Sequence, residues 1–392
     1  MTCSKRKICV YSSSRADYGL LRWVMMEIRA AGNLQLQIVS SGMHLSPEFG
    51  MTIREIQADG FEPDENLEIL LSGDTQTAIC KSMGLAMIAY GEALQRLKPD
   101  IAVVLGDRFE TFCFAAASQV CLVPLAHIHG GEATEGAIDE AFRHSITKMA
   151  HLHFATCEVH RKRIIQLGED PARVFNVGAL GVESIHRTAL LERGELADSI
   201  GFHLENPYFV VTFHPVTLEK STSTIQFRAL LEALDAFPEF NILFTKTNAD
   251  TDGRVINGLI DHYVMKHQNR CVALNSMGSL RYLSAMRFAA AVIGNSSSGI
   301  LEAPSLRIPT VNIGDRQKGR VRAASVVDCN PASFAIQEAI RKVFSKEFQS
   351  LLKAAVNPYE KPNTAREIVS RIAACEITGL LKKTFYTLPM DE

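Results

Sequence analysis

Short runs of β-branched and apolar residues alternate along this chain with longer segments of helical period, and that alternation constrains the fold more than any single residue does. Residues 7–12 precede 18–31, 34–41 precede 49–58, 101–106 precede 109–120, and 123–129 precede 137–150. Each pair reads as a strand feeding a helix, and a succession of them predicts a parallel, doubly wound sheet covered on both faces. The rhythm lapses over 179–205, which is charged and helix-prone, and restarts at 208–213, 242–245, 271–274, 289–294 and 309–313. A chain of 392 residues exceeds what one hydrophobic core usually organises. The expected fold class is therefore α/β with two Rossmann-like doubly wound domains, residues 1–182 and 183–363. A last amphipathic helix over 364–383 follows the break at 357–362 and could close either of them.

Composition removes several function classes. A formal charge of −2 with 21% charged and 47% hydrophobic residues leaves no basic footprint for nucleic acid or an anionic membrane. Nine cysteines are scattered, odd in number and never spaced CxxC, which argues against a disulfide framework or a zinc ribbon. No apolar run approaches the roughly 20 residues of a membrane span, and the first residues lead into a strand without a signal-peptide core. A cytoplasmic location is the expectation.

In open α/β sheets, ligands gather outside the carboxyl ends of the strands, so strand-end residues carry most weight. Arg15 and Asp17 follow the first strand, an Arg and an acid at the mouth of a cleft or a plain surface ion pair. Asp107 and Arg108 follow VVLG, and the helix beginning near 137 carries Asp139, Glu140, Arg143 and His144. Several acids beside compensating arginines suit acid–base chemistry, because crowded carboxylates hold each other's pKa values apart; helix caps and salt bridges are the competing account. His127, His129 and Glu132 lie in HIHGGE. Strand alternation would put both histidines on one face, the way some hydrolases hold a divalent cation, with His144, His151 and His153 as further donors of no decisive spacing. The adopted expectation is no metal. Gly294-Asn295-Ser296-Ser297-Ser298-Gly299 ends one strand and opens a helix, an arrangement in which backbone N–H groups and hydroxyls at the positive end of a helix dipole suit a diphosphate. Glu302 follows one turn later as a ribose-binding or merely helical acid, and His214 ends the first strand of the second half. The first strand has no GxGxxG after it, which disfavours a nicotinamide or flavin dinucleotide.

Taken in order, SSSRADYG, GDRFE, HIHGGE with GAIDEAFRHSITK, TFHP, GNSSSG and GDRQKGR resemble the hydrolysing UDP-N-acetylglucosamine 2-epimerases of sialic-acid and related nonulosonic-acid pathways, from about residue 8 to residue 370. The resemblance implies two Rossmann-like domains of the GT-B glycosyltransferase type, UDP held mainly by the C-terminal half, the sugar between the domains, and the last helix packed on the first domain. It also implies a homodimer or homotetramer and no cofactor. On the matching positions it makes Asp107 and Asp139 the proton-handling acids and His214 the support for the leaving group. Ser296 and Ser297 bind phosphate, Glu302 the ribose, Arg15 and Arg316 the nucleotide or diphosphate, and Gly278 to Tyr282 lie near the uracil. His129 stands where some members have Glu in HIEGGE, which bears on the choice of sugar: UDP-N-acetylglucosamine or UDP-2,4-diacetamido-2,4,6-trideoxyglucose. The rival readings are a GT-B-type UDP-sugar glycosyltransferase and a non-catalytic UDP-sugar-binding protein.

Overall fold

The computed structural model describes residues 5–73, 75–135, 138–216, 222–247 and 253–389. The chain divides into two compact units. The first holds residues up to Glu132, Asp139–Ser184 and the chain from Lys361; the second holds Ala133–Ile138 and Ile185–Glu360.

In the first unit the order is β1 (Arg6–Ser12), α1 (Arg15–Ala30), β2 (Leu34–Ser41), α2 (Ile53–Ala58), β3 (Glu65–Leu67), α3 (Gln76–Leu97), β4 (Ile101–Leu105), α4 (Phe109–Val120), β5 (Leu125–Ile128), α5 (Asp139–Met149), β6 (Leu152–Ala155), α6 (Glu158–Gln166), β7 (Val174–Asn176) and α7 (Leu180–Arg187). The strands form one sheet, β3-β2-β1-β4-β5-β6-β7, with every pairing parallel. The alternation read from the sequence thus becomes a doubly wound sheet, whose strand order reverses between β1 and β4. Apolar residues of β1 and β4 face both layers: Ile8, Val10 and Val103 join α1 in one core, while Cys9, Tyr11 and Val104 join α3 and α4 in another. Ser14 caps α1 by accepting from the Asp17 N–H, an interaction worth about 1 kcal/mol.

The second unit runs α8 (Arg193–Ile200), β8 (Tyr208–Thr212), α9 (Ser223–Asp235), β9 (Asn241–Thr245), α10 (Gly253–Lys266), β10 (Cys271–Leu274), α11 (Gly278–Phe288), β11 (Ala291–Gly294), α12 (Ser298–Leu301), β12 (Thr310–Ile313), β13 (Val326–Cys329), α13 (Ser333–Val343) and α14 (Lys346–Ala354). Its sheet, β10-β9-β8-β11-β12-β13, is also all parallel and reverses between β8 and β11. Phe209, Val211, Ile293 and Val311 form its core with Phe227, Leu230 and Ile340.

Several elements depart from the sequence reading; the helix expected over 49–58, for one, spans only Ile53–Ala58. The final helix α15 spans Thr364–Ala374 only, not 364–383. It packs Ile368, Val369 and Ile372 into the core of α1, and the Arg6 guanidinium donates to the carbonyls of Ile372 and Ala373 at 2.7 and 2.9 Å, satisfying its C-terminal end. The expected strand 123–129 stops at Ile128, because His129 adopts a left-handed φ of 66°. The helix predicted over 137–150 spans Asp139–Met149, with Ala137 outside the described residues.

Candidate functional site

The first unit gathers its chemistry at the β1/β4 reversal and the two loops beside it. Asp17, on the first turn of α1, is buried: it accepts from the Ser13 N–H at 3.1 Å and the Ser13 hydroxyl at 2.8 Å. Arg108 ends the β4 loop and makes a two-pronged contact, 3.2 Å on each nitrogen, with Glu110, which is fully buried on α4. Burial pushes the Asp17 and Glu110 carboxyls up, and Arg108 pulls both back. Sequence reasoning missed Glu110; its only signal was an acid in the first turn of an otherwise apolar helix, GDRFE. Arg15 is the first, half-buried residue of α1.

Asp107 turns to α5. Its carboxylate accepts from the buried Arg143, which also donates to Glu140 at 3.3 Å, while Glu140 meets His144 at 3.0 Å. Burial opposes the charge on Arg143, but Asp107, Glu132, Glu140 and Asp139 outweigh it and hold the guanidinium charged. One buried cation is therefore common to all four acids of this region, and Asp139 sits at the first position of α5, where the helix N-terminus favours its anion. The sequence expectation of several acids around an arginine takes this form.

The HIHGGE segment separates its two histidines. His127 lies inside the sheet, its Nε2 2.8 Å from the Gly106 carbonyl and its Nδ1 3.2 Å from the Thr147 hydroxyl. Burial brings its pKa down to about 3, so it is a neutral scaffold residue with both nitrogens engaged. His129, turned the other way by its positive φ, places Nδ1 3.7 Å from the buried Glu132 carboxylate, which accepts from Thr156 at 3.2 Å. His151 and His153 belong to the β6 scaffold: His151 Nδ1 accepts from the Leu125 N–H and His153 meets Glu169 at 3.0 Å. The alternation that would have set His127 beside His129 as joint metal donors fails at the left-handed residue, and among the described residues no three His, Cys, Asp or Glu converge as metal donors.

In the second unit the β8/β11 reversal is tied by Asn295. Its fully buried side chain accepts from the His214 N–H at 2.7 Å and donates to the His214 carbonyl at 2.8 Å, so the two strand-end loops are fixed to each other. Arg316 and Gln317 both donate to the Asn295 carbonyl, at 3.1 and 2.9 Å. Gly294 makes this possible: φ is +136° and a Cβ would sit 1.9 Å from the Thr212 carbonyl oxygen. Ser296 and Ser298 hydroxyls lie 2.9 Å apart, Tyr282 of α11 reaches Ser298, and Ser297 precedes α12. Gly278 opens α11 one turn before Tyr282. Glu302 is nearly buried just after α12. The helix here is shorter than its sequence suggested: α12 spans four residues and gives way to a 3₁₀ turn containing Pro304. A single turn sums too few peptide dipoles to act as a long helix would, so an anion at this loop would rest on individual N–H and hydroxyl donors and on nearby cations. His214, Asn295, Ser296, Ser298, Tyr282 and Arg316 are brought together; so, separately, are Asp107, Asp139, Arg143, His129 and Glu132.

Residues 26–373 match the family model described as UDP-N-acetylglucosamine 2-epimerase. The chain belongs to this family. Among curated members of the 2-epimerase family it is 42% identical, over 88% of its own length and 89% of the relative's, to the GDP/UDP-N,N'-diacetylbacillosamine 2-epimerase (hydrolyzing) of Campylobacter jejuni. It is 38% identical, over 98% of both chains, to polysialic acid biosynthesis protein P7 of Escherichia coli. The crystal structure of the Neisseria meningitidis UDP-GlcNAc 2-epimerase bound to UDP-GlcNAc superimposes with a TM-score of 0.78, covering 93% of this chain and 99% of that one, at 17% identity, a likeness of fold. Membership favours the epimerase over the transferase and binding-protein readings. No helix among the described residues of this 2-epimerase is long and apolar enough to cross a membrane.

Proposed function

We propose that this 2-epimerase is of the hydrolysing kind, taking a UDP-activated 2-acetamido hexose and water to UDP and the free C2-inverted sugar. The observation that carries the reading is the set of acids around Arg143, since removal of a C2 proton from one face and its return from the other requires two carboxyl groups in different protonation states. Asp107 and Asp139 are the acids assigned to these steps, with His129 and Glu132 beside the sugar and Arg15, Asp17, Arg108 and Arg143 framing it. A carboxylate takes the C2 proton as the C1–O bond breaks, the electron pair forms the C1=C2 bond of a 2-acetamidoglycal, and UDP departs. Water then adds its hydroxyl to C1 while C2 regains a proton on the opposite face.

Departure of UDP demands that its growing charge be met. Ser296, Ser297 and Ser298, Asn295, His214 and Arg316 are assigned to the diphosphate, Glu302 to the ribose, and Gly278 and Tyr282 to the uracil. The tie of His214 and Arg316 to Asn295, next to the paired Ser296 and Ser298 hydroxyls, supports this half of the assignment. The steps move protons and break one C–O bond, so they call for no electron carrier.

For the sugar, UDP-2,4-diacetamido-2,4,6-trideoxyglucose is the proposed substrate. The hydrolysing diacetylbacillosamine name of the C. jejuni relative supports it. UDP-N-acetylglucosamine is the second reading, favoured by the polysialic-acid relative. UDP release from each, followed by anion-exchange chromatography under identical conditions, decides: kcat/KM at least about tenfold higher for the diacetamido sugar is expected, a margin that contacts to one acetamido group can supply. A preference for UDP-N-acetylglucosamine would reverse the substrate assignment and leave the reaction class standing.

A further inference from the structure

The loop that carries His129 and Glu132 is held by one stretch of chain, the end of β6 and the start of α6. The His129 N–H donates to the Phe154 carbonyl at 2.9 Å, the Gly131 carbonyl accepts from Arg163 at 2.6 Å, and the Glu132 carboxylate accepts from the Thr156 hydroxyl. The loop also lies too close to α6 for a side chain at its bend: φ at Gly131 is +75°, and a Cβ there would run into the His160 carbonyl and stand 2.8 Å from the Ile164 side chain. Gly130 has no more room, since its Cβ would stand 2.9 Å from His127 Nδ1 and 3.0 Å from the Thr147 hydroxyl. The backbone from His129 to Glu132 is thus clamped, which leaves the direction of the Glu132 carboxylate to be fixed.

A short buried chain of side chains does this. The Thr156 hydroxyl lies 3.2 Å from Glu132 Oε1 and 2.7 Å from His160 Nδ1, and all three residues are buried. A hydroxyl has a single proton to donate. When Thr156 gives it to the carboxylate, its oxygen accepts from His160, so His160 carries its proton on Nδ1 and both bonds point toward the anion. A buried carboxylate needs donors of this kind, because burial without them disfavours its charge. Thr156 adjoins Cys157, the N-cap of the nine-residue helix α6, and the Glu132 charge is felt at Cys157, so the helix N-terminus also favours the anion there. On its other side the carboxylate lies 3.7 Å from His129 Nδ1, and its charge reaches Arg143. The chain His160, Thr156, Glu132, His129 therefore runs from the first turn of α6 to a residue assigned to the sugar. Neither Thr156 nor His160 has a part in the reaction as described above.

We propose that Thr156 and His160 are positioning residues for the reaction: His160 orients the Thr156 hydroxyl, Thr156 fixes the Glu132 carboxylate, and Glu132 in turn sets the His129 imidazole. The inference rests on the reading that puts His129 and Glu132 beside the sugar. Thr156→Val keeps the shape of the side chain and removes the hydroxyl, whereas Thr156→Ser keeps the hydroxyl. On the full chain, with the faster of the two UDP-sugars, Thr156→Val is expected to lower kcat about 10–100-fold with KM changed less than about threefold, the cost of a group misplaced by about 1 Å. Thr156→Ser should stay within about threefold of the wild type. His160→Leu should lower kcat about tenfold, and His160→Asn, whose amide can donate from the place of Nδ1, should recover most of the loss. In a Glu132→Gln background Thr156→Val should cost less than about twofold more, because its target is gone, whereas a merely structural role would lower the melting temperature and add its full effect there. Crystal structures of the wild type and Thr156→Val read the place of the carboxylate without reference to turnover, and the expected result is a displaced carboxylate on an unchanged loop backbone. A carboxylate that does not move, or a full loss repeated in the Glu132→Gln background, would overturn the proposal alone. A displaced carboxylate with wild-type kcat would show that Glu132 does not stand beside the sugar, and the proposal would fall with that reading.

Discussion

Arg143 is the residue on which the acids of the first unit converge: its buried guanidinium feels Asp107, Glu132, Glu140 and Asp139 together, and Asp107 and Glu140 accept from it directly. Replacing Asp107 or Asp139 with Asn should lower turnover by about 10²–10⁴-fold, the usual contribution of a positioned acid or base, while UDP affinity measured by calorimetry changes less than about threefold. Full activity in both variants would remove them from the mechanism. Glu110 behaves differently: it touches Arg108 and not the proposed proton path. Glu110→Gln, which leaves Arg108 without its buried counter-charge, should cost about 3 kcal/mol in chemical denaturation of the first unit; a loss under about 0.5 kcal/mol would mean that Asp17 suffices. The acids at strand ends could be picked out of the sequence as candidates because ligands gather there in open α/β sheets. The buried partnership of Glu110 with Arg108 was not, since adjacent residues on a loop and a helix disclose no geometry, and neither was the left-handed turn that parts His129 from His127.

At the scale of the elements, the β8–β11 junction is the least forgiving. Gly294→Ala would drive a methyl into the Thr212 carbonyl at a φ that side chains rarely adopt, so β11 must leave β8 or the loop bearing Asn295 must move. The expected result is loss of UDP binding and a lower melting temperature of the second unit, and normal values of both would show that the junction can relax. Strands were read well where apolar runs were flanked by turns. Helices were read less well. α15 was overextended because the segment after Ala374 keeps amphipathic character, yet it serves as a tail: Lys383 donates to Glu169 and the Ala150 carbonyl, each at 2.6 Å, and the Tyr386 N–H to Gly168. α3 went unnoticed for the opposite reason. Apolar on its outer face as well as its inner one, it lacks the period by which a surface helix is recognised.

Across the whole molecule, the two sheets repeat one strand order and each places its polar loops at the reversal, which is why the rhythm of the sequence predicted the fold class. The first unit also carries several histidines kept neutral. Burial holds His44 at about 4, His127 at about 3 and His151 at about 4, below the roughly 6.5 of an unfolded chain. Groups depressed in this way add stability that is fully present above pH 6.5 and is lost as pH falls through 6.5 toward the folded values, because the unfolded chain takes up protons that the folded one refuses. The melting temperature of the first unit should therefore fall progressively between about pH 6.5 and 4, and His127→Gln should flatten that slope by up to one proton; a slope unchanged in the variant would show that His127 titrates normally. The most direct test of the central claim is proton NMR of the reaction in deuterated water. The account expects UDP together with a free sugar inverted at C2 and carrying one deuterium there. UDP released with C2 unchanged and unlabelled would make the chain a hydrolase or transferase and withdraw the roles given to Asp107 and Asp139.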